Sequence, residues 1–388
     1  MITLIRNVDL YSPEPMGRQD LLFAAGKVLA IGKNLNIQGE QVEVLDGSDM
    51  ILIPGLVDPL AHITGGGGEG GFHTRTPAME FTEASLYGVT TLVGCLGTDS
   101  VSRTLEDLLA RAKGLKNEGL NVYCYTGSYA FPVKTLTGDI ERDLLLVDEV
   151  IGVGEIAIAD HRGSQLSACE LARVAAQCRV GGMLSGKAGI VFVHVGDGKT
   201  GLNILHQVAE QSDIPLTQFY PTHINRSQRV LDEGIAFARA GGMIDFTTST
   251  NESCLASGEV PVVDAIRQAI EAGVSPDNIS LSSDGNASLP VFNDKGELVS
   301  LEVGRVGSLF EALADCLNAK MSLGDVLPMF TRNAARTLKL KGKGVIEVGG
   351  DADMVLLNKE FAIQSVWSRG RQLVAEGKPV VRGTFQAN

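Results

Sequence analysis

Between residues 54 and 343 the chain alternates eight times between short apolar runs of strand type and longer stretches with apolar residues every three to four positions. The strand candidates are MILIPGLVD, VTTLVGCLG, LNVYCYTGS, GEIAIAD, GIVFVHVGD, LTQFYPTHI, MIDFTTST and NISLSSDG, and each is followed by a helical pattern such as RTLEDLLARAKGLKNEG or SQRVLDEGIAFARAGG. Eight such pairs are what a (β/α)8 barrel needs, in a segment slightly longer than the ~250 residues typical of one. A doubly wound open sheet is the competing arrangement. The two ends of the chain read differently. Residues 1–53 and 344–388 are β-rich runs punctuated by glycines, with Gly26-Lys27 marking a hairpin turn. The expectation is an α/β chain with a TIM-like barrel over 54–343 and a small β-sandwich domain built from both termini.

Composition narrows the function classes. A net charge of −13 with no basic stripe leaves nothing to replace the counterions of a nucleic acid. No apolar run approaches the ~18 residues of a membrane span, and the opening MITLIRNVDLYSPE lacks the apolar core and cleavage site of a signal peptide. The six cysteines are scattered without a CxxC and several lie in apolar runs, so they read as buried free thiols of a reducing, cytoplasmic compartment.

In a barrel of this kind the chemistry sits at the C-terminal ends of the strands. Polar residues gather there: Asp58 and His62 after the first strand, Glu155 and Asp160-His161-Arg162 on the fourth, His194 on the fifth, His223 on the sixth and Asp284 on the eighth. Taken singly, a strand-end histidine is a hydrogen-bonded structural residue and a strand-end aspartate is the cap of the next helix. Histidines and carboxylates converging from several strands are instead the donor set of a divalent metal. His73 and His206 read as loop and solvated helix residues.

These residues lie in motifs that resemble the amidohydrolase superfamily and, within it, the isoaspartyl (β-aspartyl) dipeptidase family. The resemblance spans nearly the whole chain. It is carried by GGGGEGG with TRTP, GTDS, TGSY, VIGVGEIAIADHR, VHVGD, PTHINR, LSSDGN and the C-terminal GKGVIEVGGDADMVLL. It implies zinc-dependent hydrolysis of the isopeptide bond of a β-aspartyl dipeptide, a homo-oligomer, and a small peptide as the only partner, with neither nucleic acid nor membrane. It also implies a role for each matching residue. Asp284 is the general base and then acid, and Tyr129 polarises the scissile carbonyl. Glu69 takes the substrate amine, Gly67, Thr98 and Ser288 surround the aspartyl α-carboxylate, and Arg162 and Arg226 take the C-terminal carboxylate.

The chain departs from that pattern twice. The first histidine of the HxH motif is Leu60, leaving His62, and the bridging lysine is Glu155. Glutamate presents directly the carboxylate that a carboxylated lysine would present, whereas leucine cannot coordinate. One metal is therefore expected on Glu155, His194 and His223, with a place left for water. A second, on Glu155, Asp284 and His62, is expected to be weak or absent. Two alternatives stay open at this level: the same fold acting on another N-acyl amino acid or a cyclic amide, and a catalytically degenerate scaffold.

Overall fold

A computed structural model describes residues 2–39, 41–293 and 295–387. The N-terminal run forms β1 (Ile2–Tyr11), β2 (Pro15–Ala24), β3 (Lys27–Gly32), β4 (Val42–Asp46) and β5 (Ile51–Pro54). Eight parallel strands follow: β6 (Leu56–Ala61), β7 (Val89–Gly94), β8 (Asn121–Thr126), β9 (Val150–Ile158), β10 (Ile190–Val195), β11 (Phe219–Thr222), β12 (Ile244–Thr247) and β13 (Ile279–Ser282). After these come the hairpin β14 (Ser288–Phe292) and β15 (Leu298–Val303), three helices, and β16 (Met354–Leu357), β17 (Ile363–Ser368), β18 (Arg371–Ala375) and β19 (Lys378–Pro379).

The eight parallel strands form the barrel. β6 to β11 are one continuous parallel sheet and β12 pairs with β13. The ring closes through a few backbone bonds. Ile224 N–H donates to Asp245 C=O between β11 and β12, while Asp284 N–H to Leu60 C=O at 3.1 Å and His62 N–H to Gly285 C=O at 2.8 Å join β13 to β6. Strands β6, β7, β9 and β10 are buried at every position, as parallel strands covered on both faces must be. The helices follow their periodicity. Gln228–Arg239 buries Val230, Leu231, Gly234, Phe237 and Ala238 on one face, and Ser227 caps its first turn.

The terminal strands join in one mixed sheet ordered β19-β18-β17-β16-β5-β1-β2-β3, with β4 also on β1. Four steps separate β17 from β2, or about 19 Å if the sheet were flat. The rings of Trp367 on β17 and Phe23 on β2 are nevertheless 5.9 Å apart. The sheet therefore folds over itself around Val8, Leu10, Phe23, Met354 and Trp367, which is how a continuous ladder encloses a sandwich-like core.

Three sequence expectations need correction. MILIPGLVD is two strands. At Gly55 the chain leaves the mixed sheet for the barrel so close to Thr90 that a Cβ there would lie 2.6 Å from the threonine Cγ2. The hairpin β14–β15 stands between the eighth strand and its helix, where none was expected. The thiols are not all buried: Cys169 is exposed and Cys254 half-buried. Among the described residues no helix is long and apolar enough to cross a membrane.

Two buried polar clusters make the fold testable. Lys343 Nζ lies 2.6 Å from Asp353 Oδ2 and 2.7 Å from Asp351 Oδ2, and Asp353 also accepts from Asn121 Nδ2 and the Arg369 N–H, tying the mixed sheet to the barrel. Removing one partner of a buried pair strands the other charge. Asp353→Ala is expected to cost about 3–5 kcal/mol in urea unfolding. Inside the barrel Asp58 accepts from the Ser283 N–H and hydroxyl and the Leu60 N–H, and burial pushes its carboxyl up to about 7. A folded-state pKa above the unfolded one means folding takes up a proton. Stability contributed here is full below the ordinary carboxylate range, declines as pH rises toward about 7 and is flat above it. Asp58→Asn is expected to remove this share of the decline, measured as the difference between the two proteins' urea midpoints across pH 4–8.

Candidate active site

The strand ends deliver the candidate residues to the mouth of the barrel. Glu155 sits near the end of β9, fully buried, with Oε1 3.0 Å from His194 Nδ1 and 3.0 Å from His223 Nε2. Its other oxygen faces His62 Nε2 at 3.6 Å, and His62 Nε2 is 3.2 Å from Asp284 Oδ1. The expected group of His62, Glu155, His194, His223 and Asp284 is thus assembled from β6, β9, β10, β11 and β13. His223 and Asp284 lie in left-handed backbone, with φ of 62° and 51°, at a cost of about 1–2 kcal/mol each.

Neighbouring groups orient the imidazoles. His194 lies between two carboxylates, Nδ1 3.0 Å from Glu155 Oε1 and Nε2 2.9 Å from Asp160 Oδ2, so a cation taken up at Nδ1 would leave Nε2 donating to Asp160. His223 Nδ1 meets the Thr247 hydroxyl, and its Nε2 faces Glu155 in the same way. Burial, helped by Arg226, lowers His223 to about 4 and keeps it neutral. Glu155 is driven up by burial but down further by hydrogen bonds from His194 and His223, and it stays ionised. Asp284 Oδ1 is buried without a hydrogen-bond partner. Two imidazoles, an ionised carboxylate and an orphaned carboxylate oxygen form a donor set that suits a divalent cation.

Around this group lies a cavity of about 420 Å³. Tyr129 lines it, its hydroxyl 2.6 Å from His194 Nδ1, and burial holds its pKa well above 10, so the phenol stays a donor. On the opposite flank Glu69 accepts from Thr98 and Ser288, each at 3.2 Å, and from Arg162 Nη1 at 3.2 Å. Gly67 packs beside Ser288 in the same wall. Arg162 is already engaged: it chelates Asp160 through Nε at 3.0 Å and Nη2 at 2.7 Å, and stacks between Tyr129 and Phe292. Arg226 differs, because its Nε is buried with no partner. The two arginines are therefore not equivalent.

Some expectations fall outside this site. Asp58 faces the barrel interior, bound to Ser283, since within β6 its side chain and that of His62 do not share the mouth. Leu60 is fully buried among Val57, Tyr125 and Phe192 in the barrel core. His161 lines the open side of the cavity, edge-on against Phe292 and remote from the donor set, whereas His73 is exposed and His206 packs against Phe237.

Asp160, expected at a strand end, orients His194; Thr247, which orients His223, and the β14 residues Leu289 to Phe292, which wall the cavity, were not among the expected residues. Cys95, taken as a packing thiol, has its Sγ 3.7 Å from His62 Nε2 and 3.9 Å from Glu155 Oε2. The available signal was its place just beyond β7 in VGCLGT, another strand end. Gly97 opens room for His62, since a Cβ there would lie 2.9 Å from the imidazole Cε1.

Known proteins share this fold. The chain is 46% identical to a β-aspartyl dipeptidase from the thermophilic, keratin-degrading Fervidobacterium islandicum AW-1, solved in complex with a β-Asp-Leu dipeptide, over all of both chains with a TM-score of 0.92. A second structure described as that organism's β-aspartyl dipeptidase gives 44% identity over 98% of each chain and a TM-score of 0.89. The dihydroorotase of Ligilactobacillus salivarius is 32% identical over 147 residues, and the match spans about a third of the length of that curated relative. The amidohydrolase family model matches residues 51–373, and the chain belongs to the amidohydrolase family.

Proposed function

We propose that the protein hydrolyses the isopeptide bond of β-aspartyl dipeptides with a divalent metal, zinc, held by Glu155, His194 and His223. One observation carries this reading. A single cavity brings together a carboxylate suited to an amine (Glu69), a guanidinium with a buried, unpartnered N–H suited to a carboxylate (Arg226), and the Glu155–His194–His223 donor set. A β-aspartyl dipeptide has an α-amine and two carboxylates. An N-acyl amino acid or a cyclic amide lacks the free α-amine and would bring Glu69 no cation beyond Arg162. A scaffold would have no use for Asp284 and Tyr129 aimed at the donor set.

When bound, the cation supplies Lewis acidity, which makes water nucleophilic near neutral pH and polarises a carbonyl. The chain does the rest. Asp284, ionised and with Oδ1 unpartnered, takes a proton from the attacking water and returns it to the leaving amine. Tyr129 donates its phenolic proton in a hydrogen bond to the developing oxyanion. Glu69 holds the substrate amine, with Thr98, Ser288 and Gly67 beside it for the aspartyl α-carboxylate. Arg226 binds the C-terminal carboxylate, and Arg162, fixed by Asp160, supplies its remaining N–H groups to the same end. The free thiols suit a reducing cytoplasm, and a homo-oligomer belongs to the same reading.

The test is direct. Purified protein is expected to cleave β-Asp-Leu but not α-Asp-Leu and to lose activity on dialysis against a chelator; intact metal loading without turnover would refute the reading. Asp284→Asn is expected to lower kcat by about 10²–10⁴ and Tyr129→Phe by about 10²–10³. Arg226→Ala is expected to act on KM, raising it about 100-fold with kcat little changed, because it removes a ground-state contact. Asp160→Asn removes the acceptor that sets the His194 tautomer and is expected to weaken metal binding by about 10–100-fold, read by competition with a chromogenic chelator.

A further inference from the structure

We propose that Cys95 is a thiolate ligand in a second metal position, formed with His62 and the free oxygen of Glu155 and closed by Asp284, and that it substitutes for the imidazole absent at Leu60. The inference rests on reading this site as a metal centre.

The division of Glu155 between two groups is the first argument. Its Oε1 serves His194 and His223, whereas Oε2 serves His62 at 3.6 Å and Cys95 at 3.9 Å. One carboxylate therefore faces two ligand sets, one through each oxygen. Cys95 Sγ, His62 Nε2 and Glu155 Oε2 are all buried and lie within 4.8 Å of one another.

Spacing is the second argument. With Zn–S near ~2.3 Å and Zn–N or Zn–O near ~2.0–2.1 Å, tetrahedral ligands stand roughly 3.3–3.6 Å apart. The three edges of this group are 3.7, 3.9 and 3.6 Å. They stand at or a few tenths of an ångström above those spacings, so a small inward shift of the three side chains brings them to one ion. Asp284 stands beside this group, its Oδ1 3.2 Å from His62 Nε2, and its carboxylate is the candidate for the fourth position.

The substitution is physically coherent. Leu60 offers no donor atom and packs in the same buried cluster as Cys95, which brings a sulfur there instead. Cys95 comes from the end of the neighbouring strand β7, where its N–H bonds the Ala61 carbonyl of β6 at 3.1 Å, so the thiol lies beside the residue preceding His62. On binding, the thiol proton passes to solvent and the sulfur becomes an anionic donor. A thiolate, an imidazole and carboxylates together select zinc or cobalt over magnesium or calcium.

Metal counting and cobalt spectroscopy test this without reference to activity. The full-length protein, stripped with chelator and reloaded with Zn²⁺ or Co²⁺, is expected to hold about two ions per chain. The cobalt form is expected to show a thiolate-to-cobalt charge-transfer band in the near ultraviolet. Cys95→Ser is expected to hold one ion and lose that band, and His62→Ala to lose the same ion. A wild-type cobalt protein without the band, or equal stoichiometry in wild type and Cys95→Ser, would overturn the role of Cys95 and leave the first metal position standing. A wild-type chain that binds no metal would overturn both readings. Should Cys95→Ser fail to fold, the wild-type band and the His62→Ala stoichiometry still decide.

Discussion

The carboxylate of Glu155 is the point on which the structure depends. A fully buried carboxylate is tolerable only where hydrogen bonds or charges repay its lost hydration. Here His194 and His223 share one oxygen, and their hydrogen bonds outweigh the burial. That compensation needs strands β9, β10 and β11 in one register. The other oxygen faces residues carried by β6 and β7, the far side of the ring. A single side chain thus couples both flanks of the barrel mouth, and the ring must be closed for this to occur.

The layer behind these residues carries as much of the design as the donors themselves. Asp160 fixes the tautomer of His194 and also grips Arg162, so the metal side and the substrate side share one carboxylate. Thr247 does for His223 what Asp160 does for His194. Glu69 is braced by Thr98, Ser288 and Arg162 from three separate segments. Such bracing lets a polar pocket hold its geometry before a ligand arrives, which is where specificity for a dipeptide with three charged groups would arise.

Much of this was legible in the residues, because the signals are local. Eight alternations of period 2 and period 3.6 define eight βα units, and the strand-end rule then points to His62, Glu155, His194, His223 and Asp284 without knowledge of any distance. The flanking motifs around Glu69, Tyr129 and the two arginines were equally readable. The hairpin β14–β15 differs from the expectation, because a two-stranded excursion between a barrel strand and its helix leaves the count of eight βα pairs unchanged.

Other outcomes were beyond any local pattern. Asp58 and His62 lie on the same apolar run, four residues apart, and only the pairing with β13 sets one at the depth of Ser283 inside the barrel and the other beside Asp284 at the mouth. Arg162 and Arg226 look alike as letters. The fold binds one to Asp160 and leaves the other with an unpartnered N–H. Cys95 reads as one apolar residue among many until the β6–β7 register sets its sulfur beside His62 and Glu155. The sequence by itself determined the barrel, the strand ends and the types of donor available, because periodicity and residue chemistry are properties of the chain. Which donors meet was decided by the tertiary structure, because meeting depends on stagger between strands distant in sequence.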